Sequence, residues 1–169
     1  AEADARESIE PCGECPNCRE IAKSSSMAVW EIDGASNNSV DNVRELIDSL
    51  RSMPPAGSRY KIYIIDEVHM LSTAAFNALL KSLEEPPPHT IFVFATTEPH
   101  KIPETVISRC QRYDFHKLTL DTIIEQLRDI AQGEGISADE EVFEFIARKA
   151  EGGMRDAQTL LDRLNAFSS

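Results

Sequence analysis

In KIYIIDEVHMLS, Lys61 to Ser72, two acids and a histidine stand directly behind an apolar run. A buried parallel strand that ends in Asp66 and Glu67 delivers two carboxylates to the carboxyl edge of its sheet, the edge at which open α/β sheets bind ligands. The first acid suits holding a magnesium ion through its water shell, because that ion takes oxygen ligands and keeps several waters. The second suits orienting an attacking water. A lone Asp-Glu pair after a core strand is commonly nothing more than a solvated strand end. Here Ile62 to Ile65 precede it and an amphipathic segment follows, and that context favours the nucleotide-site reading.

A second set of chemistry-bearing residues lies in CGECPNC, where Cys12, Cys15 and Cys18 are spaced as thiolates that wrap one zinc ion. Gly13 and Pro16 between them suit tight knuckles. A structural zinc takes four ligands, and no fourth cysteine lies nearby in the chain. The four histidines, His69, His89, His100 and His116, are scattered without metal spacing and read as surface or packing residues.

The elements that must position these groups follow from hydrophobic period. Met27–Asp33 reads as a short strand, and Asn38–Met53 as a helix with Val40, Val43, Leu46, Ile47 and Leu50 on one stripe. Ile62–Ile65 is too continuously apolar for a half-exposed strand, Ser72–Leu83 carries Phe76, Leu79, Leu80 and Leu83 at helical spacing, and Thr90–Ala95 is a further apolar strand. Short apolar runs alternating with helices make an α/β layer on a parallel sheet. Beyond Lys117 the pattern turns wholly helical, over Leu120–Gln132, Ala138–Ala150 and Met154–Phe167, with Ser137 and Glu140 set as a capping box for the middle helix. The expected division is 1–116, with a cysteine knuckle at 11–19, and a helical domain at 117–169.

Acids outnumber bases 29 to 17 in the 169 residues, a formal charge of -12, so the surface as a whole repels a phosphate backbone and any nucleic acid is held locally or by partners. No apolar run approaches the ~20 residues of a membrane helix, and the first residues lack a basic segment followed by an apolar one. The expected location is cytoplasmic, with no membrane association. AEADARESIEPC offers no cap, period or strand that would start a domain, so the natural beginning is expected further upstream.

DEVHMLS followed by FNALLKSLEEPPPHTIFVFATTEPHKIPETVISRCQRYDF resembles the AAA+ module of the bacterial clamp-loader ATPases, the gamma/tau subunits of DNA polymerase III. The resemblance runs from about Pro11 to the chain end. It implies a truncated AAA+ parallel-sheet module with a zinc knuckle, followed by a small three-helix lid, in which Asp66 and Glu67 end the Walker B strand. It makes Thr97 in FATTEPHKI the sensor 1 residue, although a Thr capping a turn is the plain alternative. Arg109 in Ser108-Arg109-Cys110 becomes a finger reaching the nucleotide of an adjacent subunit, a role that suits a planar, permanently charged guanidinium. Arg155 in GGMRDA becomes sensor 2, after Gly152 and Gly153 have let the backbone turn. The family carries a fourth zinc cysteine upstream of the three, at a distance that falls on Ala3, which binds no metal.

The implied cofactors are Zn2+ at the cysteines, and ATP with Mg2+ in the longer protein. The implied partners are other clamp-loader subunits, the sliding clamp and, through the assembly, primed DNA. No G-x-x-x-x-G-K-[ST] occurs in these residues, although the family carries one upstream, so the nest of backbone amides and the lysine that cradle phosphates are not among them. The isolated chain is therefore expected to be inactive. A rival reading is the non-hydrolysing delta-prime subunit, which keeps zinc cysteines and the Ser-Arg-Cys motif but typically lacks the paired acids. Replication factor C small subunits share Ser-Arg-Cys without the knuckle, and helicases share the Asp-Glu-x-His pattern without further likeness. A reading of a different class is a zinc-bearing scaffold whose acids and arginines are surface charges.

Overall fold

The computed structural model describes residues 11–168, and Ala3, the position of the family's fourth cysteine, lies outside them. The chain forms two compact units, divided after Arg112.

In the first unit three strands, β1 (Val29–Asp33), β2 (Lys61–Asp66) and β3 (Thr90–Phe94), form a parallel sheet in the order β1-β2-β3. β2 is the middle strand, with Tyr63 opposite Trp30 on one side and Phe92 on the other, and Asp66 opposite Asp33. The connections carry helices: α1 (Pro16–Ala22) precedes β1, α2 (Val40–Ser49) joins β1 to β2, α3 (Thr73–Glu84) joins β2 to β3, and the short α4 (Glu104–Ile107) follows β3. Ser39 and Ser72 start α2 and α3, each accepting a hydrogen bond from the backbone N–H three residues on, at 3.2 Å in both cases.

The core lies where α2 and α3 cover one face of the sheet, and Val43, Leu46, Leu50, Tyr63, Ile65, Val68, Ala75, Phe76 and Leu79 are buried there. Lys61 is buried with them. Its ammonium donates to Ser49 O at 2.9 Å and Ser52 Oγ at 2.7 Å, so the charge meets the carbonyl end of α2 and is satisfied rather than stranded.

β2 departs from the expectation of a strand buried on both faces. Lys61, Tyr63 and Ile65 are buried, but Ile62 and Ile64 on the opposite face are only half-buried, and neighbouring Ile91 and Val93 are 40% and 43% exposed. The described helices cover one face alone, so among the described residues the continuous apolar run is left part-open.

In the second unit α5 (Leu120–Glu134), α6 (Glu140–Lys149) and α7 (Met154–Ser168) pack around Ile123, Leu127, Ala131, Phe143, Ile146, Ala147, Ala157 and Leu161. Thr119 caps α5, and Gly135, at φ +70°, ends it in the left-handed conformation that glycine takes without steric cost. The capping box expected at Ser137 and Glu140 does not form. Asp139 is the N-cap and its side chain makes no capping bond. Glu140 instead turns to α5, where it accepts from Arg128, Nε to Oε2 being 3.1 Å. A charge-assisted two-pronged pair outcompetes a single reach back to a backbone amide. Among the described residues no helix is long and apolar enough to cross a membrane.

Candidate functional site

The sheet's carboxyl edge gathers the acids. Asp66 is the last residue of β2 and exposed, with Oδ1 accepting the Glu67 N–H at 2.9 Å. The chain then turns sharply. Glu67 sits at φ 45°, ψ 45°, a conformation that costs a residue with a Cβ about 1 kcal/mol or more, and Val68–Met70 form a single 3-10 turn leading to the Ser72 cap. Two bonds from outside fix that turn: Val68 N–H donates to Ala95 O at 3.0 Å, and Gly34 N–H donates to Asp66 O at 2.8 Å. Gly34 can come so close only because it lacks a side chain. A Cβ there would lie 2.8 Å from Glu67 O and 2.9 Å from Asp66 O.

The Glu67 carboxylate points toward the segment after β3. Its Oε2 accepts from Thr97 Oγ1 at 3.2 Å and from Thr97 N–H at 3.4 Å, so Asp66, Glu67 and Thr97, singled out separately in the sequence, come together at one edge. The bare alternative of Thr97 as a turn cap is not what forms, for it is Thr96 Oγ1 that accepts the Glu98 N–H, at 3.0 Å. A third carboxylate, Asp33 at the end of β1, is taken up by its own loop. Ser36 Oγ at 2.6 Å and the Ala35 N–H at 2.9 Å donate to it and hold its carboxyl below the usual carboxylate range.

One residue of this edge escaped the sequence reading. His69 is not a loose packing histidine: its side chain is 7% exposed, with Nδ1 3.2 Å from Glu67 Oε2 and 2.9 Å from Thr96 Oγ1, and Nε2 3.2 Å from Glu98 Oε2. The spacing Glu67-x-His69 carried the only signal, and metal spacing was the wrong test for it.

Arg109 lies just past α4. Its guanidinium donates to Thr105 O at 2.6 Å, to Ser108 Oγ at 3.3 Å and to Glu84 Oε1 at 2.6 Å, partners at α4 and the end of α3 rather than at the β2 edge. Arg155 belongs to the second unit, exposed in the first turn of α7, where its carbonyl accepts from Thr159. Gly152 before it has φ +91°, and its carbonyl accepts the Leu118 N–H at 3.1 Å.

Cys12, Cys15 and Cys18 converge, with their sulfur atoms all within 4.8 Å of one another. Cys12 and Cys18 Sγ are 3.7 Å apart, close to the about 3.8 Å between two thiolates on a tetrahedral zinc with 2.3 Å bonds. Gly13 at φ +72° makes the turn, and Cys15 opens α1 with Pro16 in its first turn. The Cys18 N–H and thiol hold the Cys15 thiol below its ordinary value, which favours the thiolate a metal needs. The residues present therefore fit a soft divalent metal. Among the described residues the cluster consists of these three.

Sequence comparison brings relatives to this geometry. The sequence model of the family described as "DNA polymerase III, delta subunit" matches residues 2–119, and that described as "DNA polymerase III clamp loader subunit, ATPase lid domain" matches residues 122–169. The chain is 55% identical to the DNA polymerase III subunit tau of Bacillus subtilis (strain 168), over 94% of its own length and 28% of that protein. It is 46% identical to the tau subunit of Escherichia coli (strain K12), over 90% of its own length and 24% of that protein. To the DNA polymerase III subunit gamma of Buchnera aphidicola subsp. Acyrthosiphon pisum it is 47% identical, over 90% of itself and 42% of the relative. The chain thus spans about a quarter of the two tau subunits and less than half of the gamma subunit. Among solved structures it resembles the Thermotoga maritima RuvB Holliday junction branch migration motor, with a TM-score of 0.70 and 18% identity, over 88% of this chain and 48% of that one. That likeness shows the fold, a parallel-sheet module followed by a helical unit.

Proposed function

Because this chain belongs to the clamp-loader subunits of DNA polymerase III, of the gamma/tau kind, we propose that it is the Walker B, sensor and lid portion of an ATPase that loads a sliding clamp onto primed DNA. In this reading residues 1–116 are part of the nucleotide-binding domain and 117–169 its lid. The observation that carries the reading is the edge of β2, where Asp66 and Glu67 follow the middle strand of the sheet and Thr97 closes on Glu67.

Asp66 would hold Mg2+ through its water shell, and Glu67 would orient the attacking water, with Thr97 as sensor 1. Arg155 would be the sensor of the lid, and Arg109 a finger for the neighbouring subunit's nucleotide. The Arg109–Glu84 pair supports that role, since an arginine held at the end of α3 is already ordered before it meets phosphate. Zn2+ is the metal the thiol set favours, in a structural role. The protein would work in the cytoplasm with other clamp-loader subunits, the clamp and primed DNA. These 169 residues contain no phosphate-binding G-x-x-x-x-G-K-[ST], so by themselves they are expected to show neither hydrolysis nor saturable ATP binding in calorimetry. The acid pair argues against a non-hydrolysing delta-prime subunit and against an inert scaffold.

The test is made in the full-length subunit, assembled into its loader at defined positions. Glu67→Gln should impair hydrolysis in the subunit that carries it, leaving a slow but measurable residual rate. Arg109→Ala should leave its own subunit's nucleotide binding intact and depress hydrolysis next door, by ~10³ to 10⁵ at a single site. A loader whose hydrolysis ignores Glu67→Gln would overturn the reading.

A further inference from the structure

A buried histidine between two carboxylates needs a reason. His69 is one of the few polar side chains near this edge that is almost wholly enclosed, and each ring nitrogen faces an acid: Glu67 at Nδ1 and Glu98 at Nε2, both at 3.2 Å. The Glu98 oxygen that meets the ring, Oε2, also meets Lys101 Nζ at 2.6 Å, its other oxygen lies 3.8 Å from His100, and the Glu98 N–H donates to Thr96. Thr96 in turn meets His69 Nδ1 at 2.9 Å. The groups facing the ring are therefore Glu67, Thr96 and Glu98, and those behind them are Thr97, Lys101 and His100.

Glu67 itself has few other restraints. Its backbone is held in the left-handed region, and among the described residues its carboxylate meets Thr97 and His69. Thr97 is exposed, whereas His69 is enclosed, so the imidazole is the rigid side of the clamp. A planar ring that meets Thr96 and Glu67 at Nδ1 and Glu98 at Nε2 cannot rotate without losing contacts on both edges. Its position fixes where the Glu67 oxygen sits.

We propose that His69 is a positioning residue for Glu67, one end of a chain Glu67–His69–Glu98–Lys101 that ties the water-orienting carboxylate to the Pro99–Lys101 turn after β3. The inference rests on the assignment of Glu67 under the proposed function. It places the hydrolytic geometry under the control of a surface turn: a contact that draws Lys101 away from Glu98 loosens the ring, and with it the carboxylate.

The experiment uses the full-length subunit in its assembled loader, with ATP, clamp and primed DNA, and a non-hydrolysable ATP analogue to measure binding separately. His69→Ala should lower kcat by about 10- to 100-fold, the range typical of outer groups that orient a reactive ligand, with KM and analogue affinity unchanged. Glu98→Gln should lower kcat less and in the same way. On a Glu67→Gln background His69→Ala should add nothing, because both act through one carboxylate. Unchanged kcat in His69→Ala, a loss shared equally by analogue binding, or additive losses in the double variant would overturn the proposal. Should His69→Ala fail to fold, Glu98→Gln, at a part-exposed side chain, carries the test: a fall in kcat at constant KM supports the chain, and an unchanged kcat overturns it. If Glu67→Gln itself leaves hydrolysis intact, the nucleotide-site reading is what fails, and this inference falls with it. If Glu67→Gln is impaired while His69→Ala and Glu98→Gln hydrolyse at the wild-type rate, only this inference falls.

Discussion

The acid edge of β2 and the cysteine knuckle are both short motifs of polar residues, yet they are held in opposite ways. The acids hang from a strand whose Tyr63 and Ile65 are wholly enclosed, and the turn after them is anchored by Val68, also fully buried. The knuckle leads into α1, which has no buried residue, and among the described residues Asn17 Nδ2 ties it to the loop before β2 by donating to Gly57 O at 2.6 Å. One site takes its geometry from the hydrophobic core. The other has no such core beneath it, and since a seven-residue helix without apolar burial is not stable alone in water, the proposed zinc is what would hold it.

The difference is tested most severely by removing one core residue beneath the acids. Ile65→Ala should destabilise the first unit by about 2–5 kcal/mol, through lost burial and a cavity between α2, α3 and β2. Urea unfolding followed by Tyr and Trp fluorescence measures it. A cost below that range would mean that the edge does not depend on the core as argued.

A smaller effect, confined to the edge, is expected from Gly34→Ala. The new Cβ would meet two backbone carbonyl oxygens at 2.8 and 2.9 Å, and backbone cannot swing aside as a side chain can. The cost should be about 1–3 kcal/mol, and amide exchange should quicken at Glu67 and Val68 before it does in α2. Uniform quickening would place the strain in the whole unit instead.

These examples show what could be read from the sequence. The strands and helices of the first unit were legible in apolar period, the acid pair Asp66 and Glu67 in the apolar run that precedes it, and Thr97 was singled out only through a resemblance. Three things were not. His69 lies two residues from Glu67 in sequence, but its second acid, Glu98, arrives from the segment after β3, and nothing local announces it. The enclosed Lys61 drew no reading from the sequence, because the carbonyl end of α2 that receives its ammonium lies twelve residues away. The box at Ser137 and Glu140 satisfied a local rule and lost to a partner on α5. Each miss is a long-range polar contact, the class of interaction that sequence spacing does not encode.

Removing the metal should barely move the core. If the three cysteines hold zinc with a fourth donor from water or an acid, affinity should fall well below that of a closed four-thiolate site, and mild chelation should strip the metal. Metal analysis together with amide exchange should then show α1 unprotected while β1, β2 and β3 keep their protection. Loss of the main unfolding transition on chelation would break the contrast between the two sites.

The smallest effect concerns a contact with neither core nor metal behind it, the Arg128–Glu140 pair that displaced the capping box. Both side chains are about half exposed, so water and salt screen the pair. The Arg128 hydrogen bonds nevertheless hold the Glu140 carboxyl below the usual carboxylate range, and Glu140 in turn raises Arg128. A carboxyl lowered on folding stabilises the fold above its unfolded value and loses that contribution as pH falls through the lowered, folded value. Glu140→Gln should therefore lower the melting temperature of the second unit slightly at neutral pH, and the difference from wild type should close in acid, below the depressed carboxylate value. Raised salt at neutral pH should shrink it as well. If the variant were equally destabilised in acid and at neutral pH, the pair would be acting through packing of the Arg128 stem on α5 and α6 rather than through charge. The exposed contact would then belong with the core-held acid edge rather than apart from it.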